Sequence, residues 1–216
     1  MTRFFLPLAL WMLAIPAFAA DGDSTPARTL LTAEQADTKY AKVIDERSAK
    51  IVHSLGLSDT NRAAKVHDLI VAQYRALNDW HNANDPKLKA AKGDKAAIAA
   101  IRASLETLHR DYLTNLAAYL APEQMEKVKD EMTYGKVQFT FAGYCSQYSS
   151  LSDANKQEIL RLLKEAREEA MDGGSAKEKT AIFQRYKGKI NNYLSKQGIH
   201  PDKQGKTPPE AATPEK

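Results

Sequence analysis

From residue 32 to residue 198 apolar side chains recur with the 3.6-residue period of a helix, and no long alternating run marks a sheet. Tyr40, Val43, Ile44, Arg47, Ile51 and Leu55 share one face, opened by Thr32 with Gln35 as a capping box. Val66, Leu69, Ile70, Tyr74, Leu77 and Trp80 form a second stripe behind Ser58-Asp59. Ile98, Ile101, Leu105, Leu108, Tyr112, Leu116 and Tyr119 form a third behind Gly93-Asp94. Pro122 suits the first position of a short helix ending near Met132. Ile159, Leu160, Leu163, Ala166 and Ala170 make a fifth stripe, opened by Ser152-Asp153 and stopped by Gly173-Gly174. Ser175 with Glu178 opens the last, which carries Ile182, Phe183, Tyr186, Ile190, Tyr193 and Leu194. These periods predict an all-α fold, a single helical bundle of about six helices.

One segment breaks the pattern. Residues 134–150 hold Tyr134, Phe139, Phe141, Tyr144 and Tyr148 with Gly135 and Gly143, and Val137, Phe139 and Phe141 alternate with polar neighbours. This predicts an irregular, partly extended aromatic stretch, and long irregular stretches often carry function. The phrases Leu57-Ser58-Asp59-Thr60-Asn61-Arg62 and Leu151-Ser152-Asp153-Ala154-Asn155-Lys156 echo each other. Either a helical hairpin has been duplicated, or two helix starts converged on good caps.

The ends read differently. Arg3, the apolar run Phe4 to Ile15, Pro16 and Ala17-Phe18-Ala19 have the three parts of a signal peptide, with cleavage after Ala19 or Ala20. The run is too short to span a bilayer, and no later stretch is apolar enough to do so. The expected organisation is a signal peptide at 1–20, a flexible segment at 21–31, a helical domain at 32–198 and a disordered Pro-rich tail at 199–216. Four of the nine prolines fall in the last 16 residues, among polar side chains that bury too little to offset ordering entropy. The expected location is periplasmic or secreted.

Composition excludes more than it assigns. The 216 residues carry a formal charge of +4, about +3 once Arg3 leaves with the signal. That is too mild for a nucleic-acid footprint. The single Cys145 cannot form an internal disulfide and reads as a small core residue. No two of His53, His67, His81, His109 and His200 lie four apart, so the helical zinc pair is missing. A site assembled by folding, for instance His67 and His81 with Asp79, is the alternative left open, and no metal or cofactor is expected. No phosphate-binding glycine loop, nucleophile elbow or dinucleotide fingerprint occurs, so no catalytic residue is assigned.

Two constellations remain. In Glu165-Ala166-Arg167-Glu168-Glu169-Ala170-Met171-Asp172-Gly173-Gly174, Arg167 lies one turn from Met171 and Glu168 one turn from Asp172. In Arg185-Tyr186-Lys187-Gly188-Lys189-Ile190-Asn191-Asn192-Tyr193, a glycine sits inside a helical period, which points first to close helix packing and second to a ligand near the backbone.

Together with Met132-Thr133-Tyr134-Gly135 and Gly143-Tyr144, these stretches resemble the signature of an exported bacterial family, domain of unknown function 3826. The resemblance covers about residues 35–198. It implies a signal peptide and a setting rich in polysaccharide-degrading systems, and it assigns no activity. A second similarity, in Leu120-Ala121-Pro122-Glu123-Gln124 and Leu31-Thr32-Ala33-Glu34-Gln35, is to the LTxxQ phrase of small helical periplasmic stress chaperones, from which this chain departs at Ala121.

Three functional expectations follow. The first is an exported binding or accessory protein for an oligosaccharide or anionic ligand, held by Tyr134, Tyr144, Arg167, Asp172, Lys187 and Asn191. The second is a client-binding chaperone. The third is a metal-free carbohydrate-active enzyme using Tyr134 or Tyr144 with Arg167 or Lys187.

Overall fold

The computed structural model describes residues 33–202. The signal peptide, the segment 21–31, the Thr32 cap and residues 203–216 lie outside the described residues. Within them the chain forms seven α-helices and no strand: α1 Ala33–Ser54, α2 Thr60–Ala90, α3 Lys95–Ala117, α4 Pro122–Met132, α5 Lys136–Gln147, α6 Asp153–Met171 and α7 Ala176–Lys196. None of them is long and apolar enough to cross a membrane.

The caps do what their side chains allow. Asp59 accepts from the N–H groups of Asn61 and Arg62, and Asp94 from that of Ala97. Ser152 and Asn155 cap each other reciprocally at the start of α6. The two echoing phrases therefore place their caps one residue apart, on Asp59 in one and on Ser152 in the other. Gln124 Oε1 accepts the Ala121 N–H at 3.2 Å and also accepts from Arg62, so the Leu120–Gln124 phrase works as a helix start fastened to α2.

The expected irregular stretch is a helix, which raises the count from six to seven. Val137, Phe141, Tyr144 and Tyr148 stand at i, i+4, i+7 and i+11, one helical face; all but the half-buried Phe141 are fully buried. Phe139, 78% exposed, supplied the false alternation. Cys145 is half-buried on this helix and not the sealed core residue expected. Residues 199–202, assigned to the tail, are tied down: Ile199 packs on the core, and the Asp202 carboxylate accepts from the backbone N–H and the hydroxyl of Ser149.

Two apolar cores result. One gathers Ile51, Leu55, Val66, Ile70, Tyr112, Leu116, Val128 and Met132 from α1–α4; the other gathers α5, α6 and α7 around Tyr144, Leu163, Phe183 and Ile190. A seam runs between them. The Met171 side chain crosses it as an apolar peg from α6 into the first core.

The chain crosses the seam once, at Thr133-Tyr134-Gly135. Gly135 N–H donates to Asp130 O at 2.8 Å and Tyr134 N–H to Glu131 O at 3.1 Å, the paired bonds of a Schellman cap. Tyr134 takes the left-handed position with φ 62°, where glycine is the usual residue. Its ring is 47% exposed. Tyr134→Gly should therefore raise stability by about 1 kcal/mol, read as a higher urea midpoint at unchanged m-value; a lower midpoint would mean that the ring contributes more packing than the backbone costs.

Candidate functional site

The seam is built from polar residues that continue apolar stripes. His81 follows Leu77 by one turn on α2, His109 follows Leu105 on α3, and Arg167 follows Leu163 on α6, so helical geometry turns each inward. Arg167, 3% exposed at the side chain, donates to Asp130 Oδ1 and Glu126 Oε2 of α4, both at 2.7 Å, and to Glu168 at 3.2 Å. Lys129 Nζ donates to Glu168 Oε2 at 2.9 Å. Burial alone would push the Glu168 carboxyl up, but the nearby His109, the Lys129 hydrogen bond and the charges of Lys129 and Arg167 bring it down to about 2.

His109 faces two acids. Its Nδ1 donates to Asp172 Oδ1 at 3.0 Å, and its Nε2 lies 3.6 Å from Glu168 Oε2. These partners lift its pKa to about 9 against the opposing effect of burial. With both nitrogens occupied, the ring is a fixed cation and a poor general base. Burial raises the Asp172 carboxyl despite the His109 contact. His81 reaches the same residue from α2: its Nε2 donates to the Asp172 carbonyl at 2.7 Å and its Nδ1 to Asp85 Oδ1 at 2.9 Å. Both partners can only accept, so His81 carries both protons. Burial opposes that charge, and the two hydrogen bonds prevail, raising its pKa.

Lys179 enters from α7, 4% exposed, and donates to Met132 O at 3.3 Å and Met171 O at 3.1 Å, the last residues of α4 and α6. Burial lowers its pKa to about 8. The glycines that stop α6 have a second use. A Cβ on Gly174 would lie 2.7 Å from the His81 ring, and one on Gly173 3.0 Å from Lys179 Cγ. The close approach predicted at Gly188 occurs here instead; Gly188 has open space around it.

Along the seam α3, α6 and α7 enclose a cleft of about 480 Å³. Its floor includes Leu105, Ala181 and Ile182; its walls carry Arg102, Glu106, His109, Glu168, Glu169, Asp172, Glu178 and Arg185. The Arg185 guanidinium pairs with Glu169, and Glu178 accepts from the Gly174 N–H at 2.9 Å. The polar walls are thus largely held by one another.

The six residues singled out from sequence do not meet in one place. Asp172 lines the cleft. Arg167 stands behind it, fixing Glu168. Tyr144 is buried between α5 and α7, where its hydroxyl donates to Asn191 Oδ1 at 2.7 Å and lies 3.2 Å from the Lys187 carbonyl. Tyr134 is on the α4–α5 turn. His67 contacts Asp45 and Asp68, apart from His81, and among the described residues no group of three or more His, Cys, Asp or Glu is placed to hold a metal ion. Arg102 and Glu106 were missed, and His109, Glu169 and Arg185 were noted but not placed here, although the inward register of His109 and the Glu168–Asp172 spacing pointed to part of the cleft.

The pH dependence has two opposing parts. His109 holds its proton more tightly when folded, so its contribution is whole below its ordinary value of 6.5 and is lost as pH rises through about 9. Lys179 binds its proton less tightly when folded, so its cost is whole below about 8 and is relieved towards 10.5. The clean measurement is therefore a difference. The stability gap between wild type and His109→Gln should shrink by about 2–3 kcal/mol between pH 6.5 and 9.5 in urea titrations; a constant gap would remove the charge from His109.

A family model described as "Protein of unknown function (DUF3826)" matches residues 41–210. No curated protein matches the chain.

Proposed function

We propose a function from one premise: the chain belongs to the DUF3826 family, whose description names no activity. The reading is an exported helical protein that binds a neutral polyhydroxylated ligand, an oligosaccharide above all, in the seam cleft. One observation carries it: an open cleft whose donors and acceptors are held in place by their own ion pairs, above an apolar floor. Arginine forks and carboxylates at fixed spacing suit adjacent hydroxyls, and the floor suits the C–H face of a sugar ring.

Charge narrows the ligand. Five carboxylates line the cleft against two arginines and His109, which favours a neutral sugar over a uronate. Asp172, from the sequence-derived set, sits at the centre of this site, and Arg167 serves it from behind. Export rests on the Arg3, Phe4–Ile15 and Ala17-Phe18-Ala19 pattern.

Neutral oligosaccharides should raise the melting temperature by several degrees, since a ligand at about 100 times Kd adds about 2.7 kcal/mol. Arg102→Ala and Arg185→Ala, both exposed, should abolish the shift with little change in the unliganded melt. A broad neutral panel without effect would count against the reading. For export, expression of the full chain in a Gram-negative host should yield a product shortened by about 20 residues outside the cytoplasm; full-length protein in the cytoplasm would reject it.

A further inference from the structure

Residues 82–104, the outer parts of α2 and α3 with their connecting turn, contain no buried residue. The two arms hold each other, for example through Trp80 Nε1 donating to Ser104 Oγ at 2.8 Å. At the base of this hairpin, α2 and α3 each present one histidine to the far side of the seam, and both grip the same residue. His81 holds the Asp172 carbonyl at 2.7 Å and His109 its carboxylate at 3.0 Å. The cleft lies directly behind that grip, with α3 as one wall and α6 and α7 as the other.

We propose that the α2–α3 hairpin is a gate over the cleft, latched on Asp172 by His81 and His109, and that releasing the latch widens the cleft without melting either core. The proposal rests on reading the cleft as the ligand site. Three features support it. Apart from the Met171 peg, each core draws on its own side of the seam, so separation at the hairpin leaves most apolar contacts intact. The Arg167 pairs and the Met171 peg keep α4 and α6 together, which gives the movement a pivot away from the latch. The latch is made of hydrogen bonds and ion pairs, which water can replace when they open.

The groups facing each histidine set what must be broken. His81 meets Asp85 on its own helix, the Asp172 carbonyl on the α6 side and Glu178 of α7 at 4.0 Å. His109 meets Asp172 and Glu168 of α6, the latter also held by Lys129 of α4 and Arg167. Opening therefore leaves Glu168 paired and frees Asp172.

The test places spin labels at Ala99→Cys on α3 and Lys177→Cys on α7, both exposed, in a Cys145→Ser background. Adding His81→Gln and His109→Gln should lengthen the inter-label distance by something on the order of 5 Å and broaden its distribution, with a cooperative melt retained. An unchanged distribution in a folded double variant would overturn the gate. Should that variant fail to fold, the two single variants decide in its place: His81→Gln or His109→Gln alone should broaden the inter-label distribution towards longer distances. An unchanged distribution in both folded single variants would equally overturn it. Neither readout contains a ligand, so an inert glycan panel and an immobile hairpin are separate failures.

Discussion

A buried ammonium group holds the two sides of this protein in register. Lys179 projects from the first turn of α7 into the place where α4 and α6 both end, and donates to the final carbonyl of each. Those carbonyls have no partner within their own helices and carry the negative end of the helix dipole. One side chain thus satisfies two helix ends and finds in them the compensation for its own burial. The compensation is incomplete, as the fall of its pKa to about 8 records. The residue nonetheless ties the end of α6, next to Asp172, to the end of α4.

The surrounding seam follows the same logic. A buried ion pair is a weak source of stability compared with apolar packing of similar volume, because both charges lose water, whereas loss of one partner is severe. The Arg167 pairs with Glu126 and Asp130 therefore specify how α4 meets α6 more than they glue the halves together. Most of the apolar burial is kept inside the two cores. The cleft therefore opens along a boundary where polar contacts are concentrated.

The helices were legible because their faces are regular and their caps local: Asp59, Asp94, Pro122, Ser152 and Ser175 act within a few residues of themselves. α5 was misread because the exposed Phe139 mimicked an alternating strand while the true stripe through Val137, Phe141, Tyr144 and Tyr148 was hidden by two glycines. Gly188 and Gly174 show the limit of local reading. A glycine inside a helix suggested close packing, yet the tight contact belongs to the glycine at a helix stop, and only the arrival of His81 from about 90 residues away creates it. The site was half legible for the same reason. Glu168 and Asp172 share a helix face and could be paired by spacing, whereas His109 reaches them, and Arg185 reaches Glu169, through tertiary contacts that no spacing encodes.

The last two turns of α6 explain why one short stretch is at once a packing element and a cleft wall. Successive residues step around the helix by about 100°, and each direction has an occupant. Ala166 and Ala170 face the second core, and Met171 the first. Arg167 faces α4, Glu168 and Asp172 face α3, and Glu165 and Glu169 meet Arg161 and Arg185. Little of this turn is free to vary independently, because a rotation that improves one contact displaces the others by the same angle. Glu168, Glu169 and Asp172, three of the five acids that line the cleft, sit at the end of the helix that the cores and the α4 pairs clamp, so their positions are set by packing. On the opposing wall, α3 meets α6 through His109, and its outer part is held to α2 by the Trp80–Ser104 hydrogen bond. The contrast between a wall set by packing and a wall held by polar contacts is what the proposed binding role would use to admit a ligand.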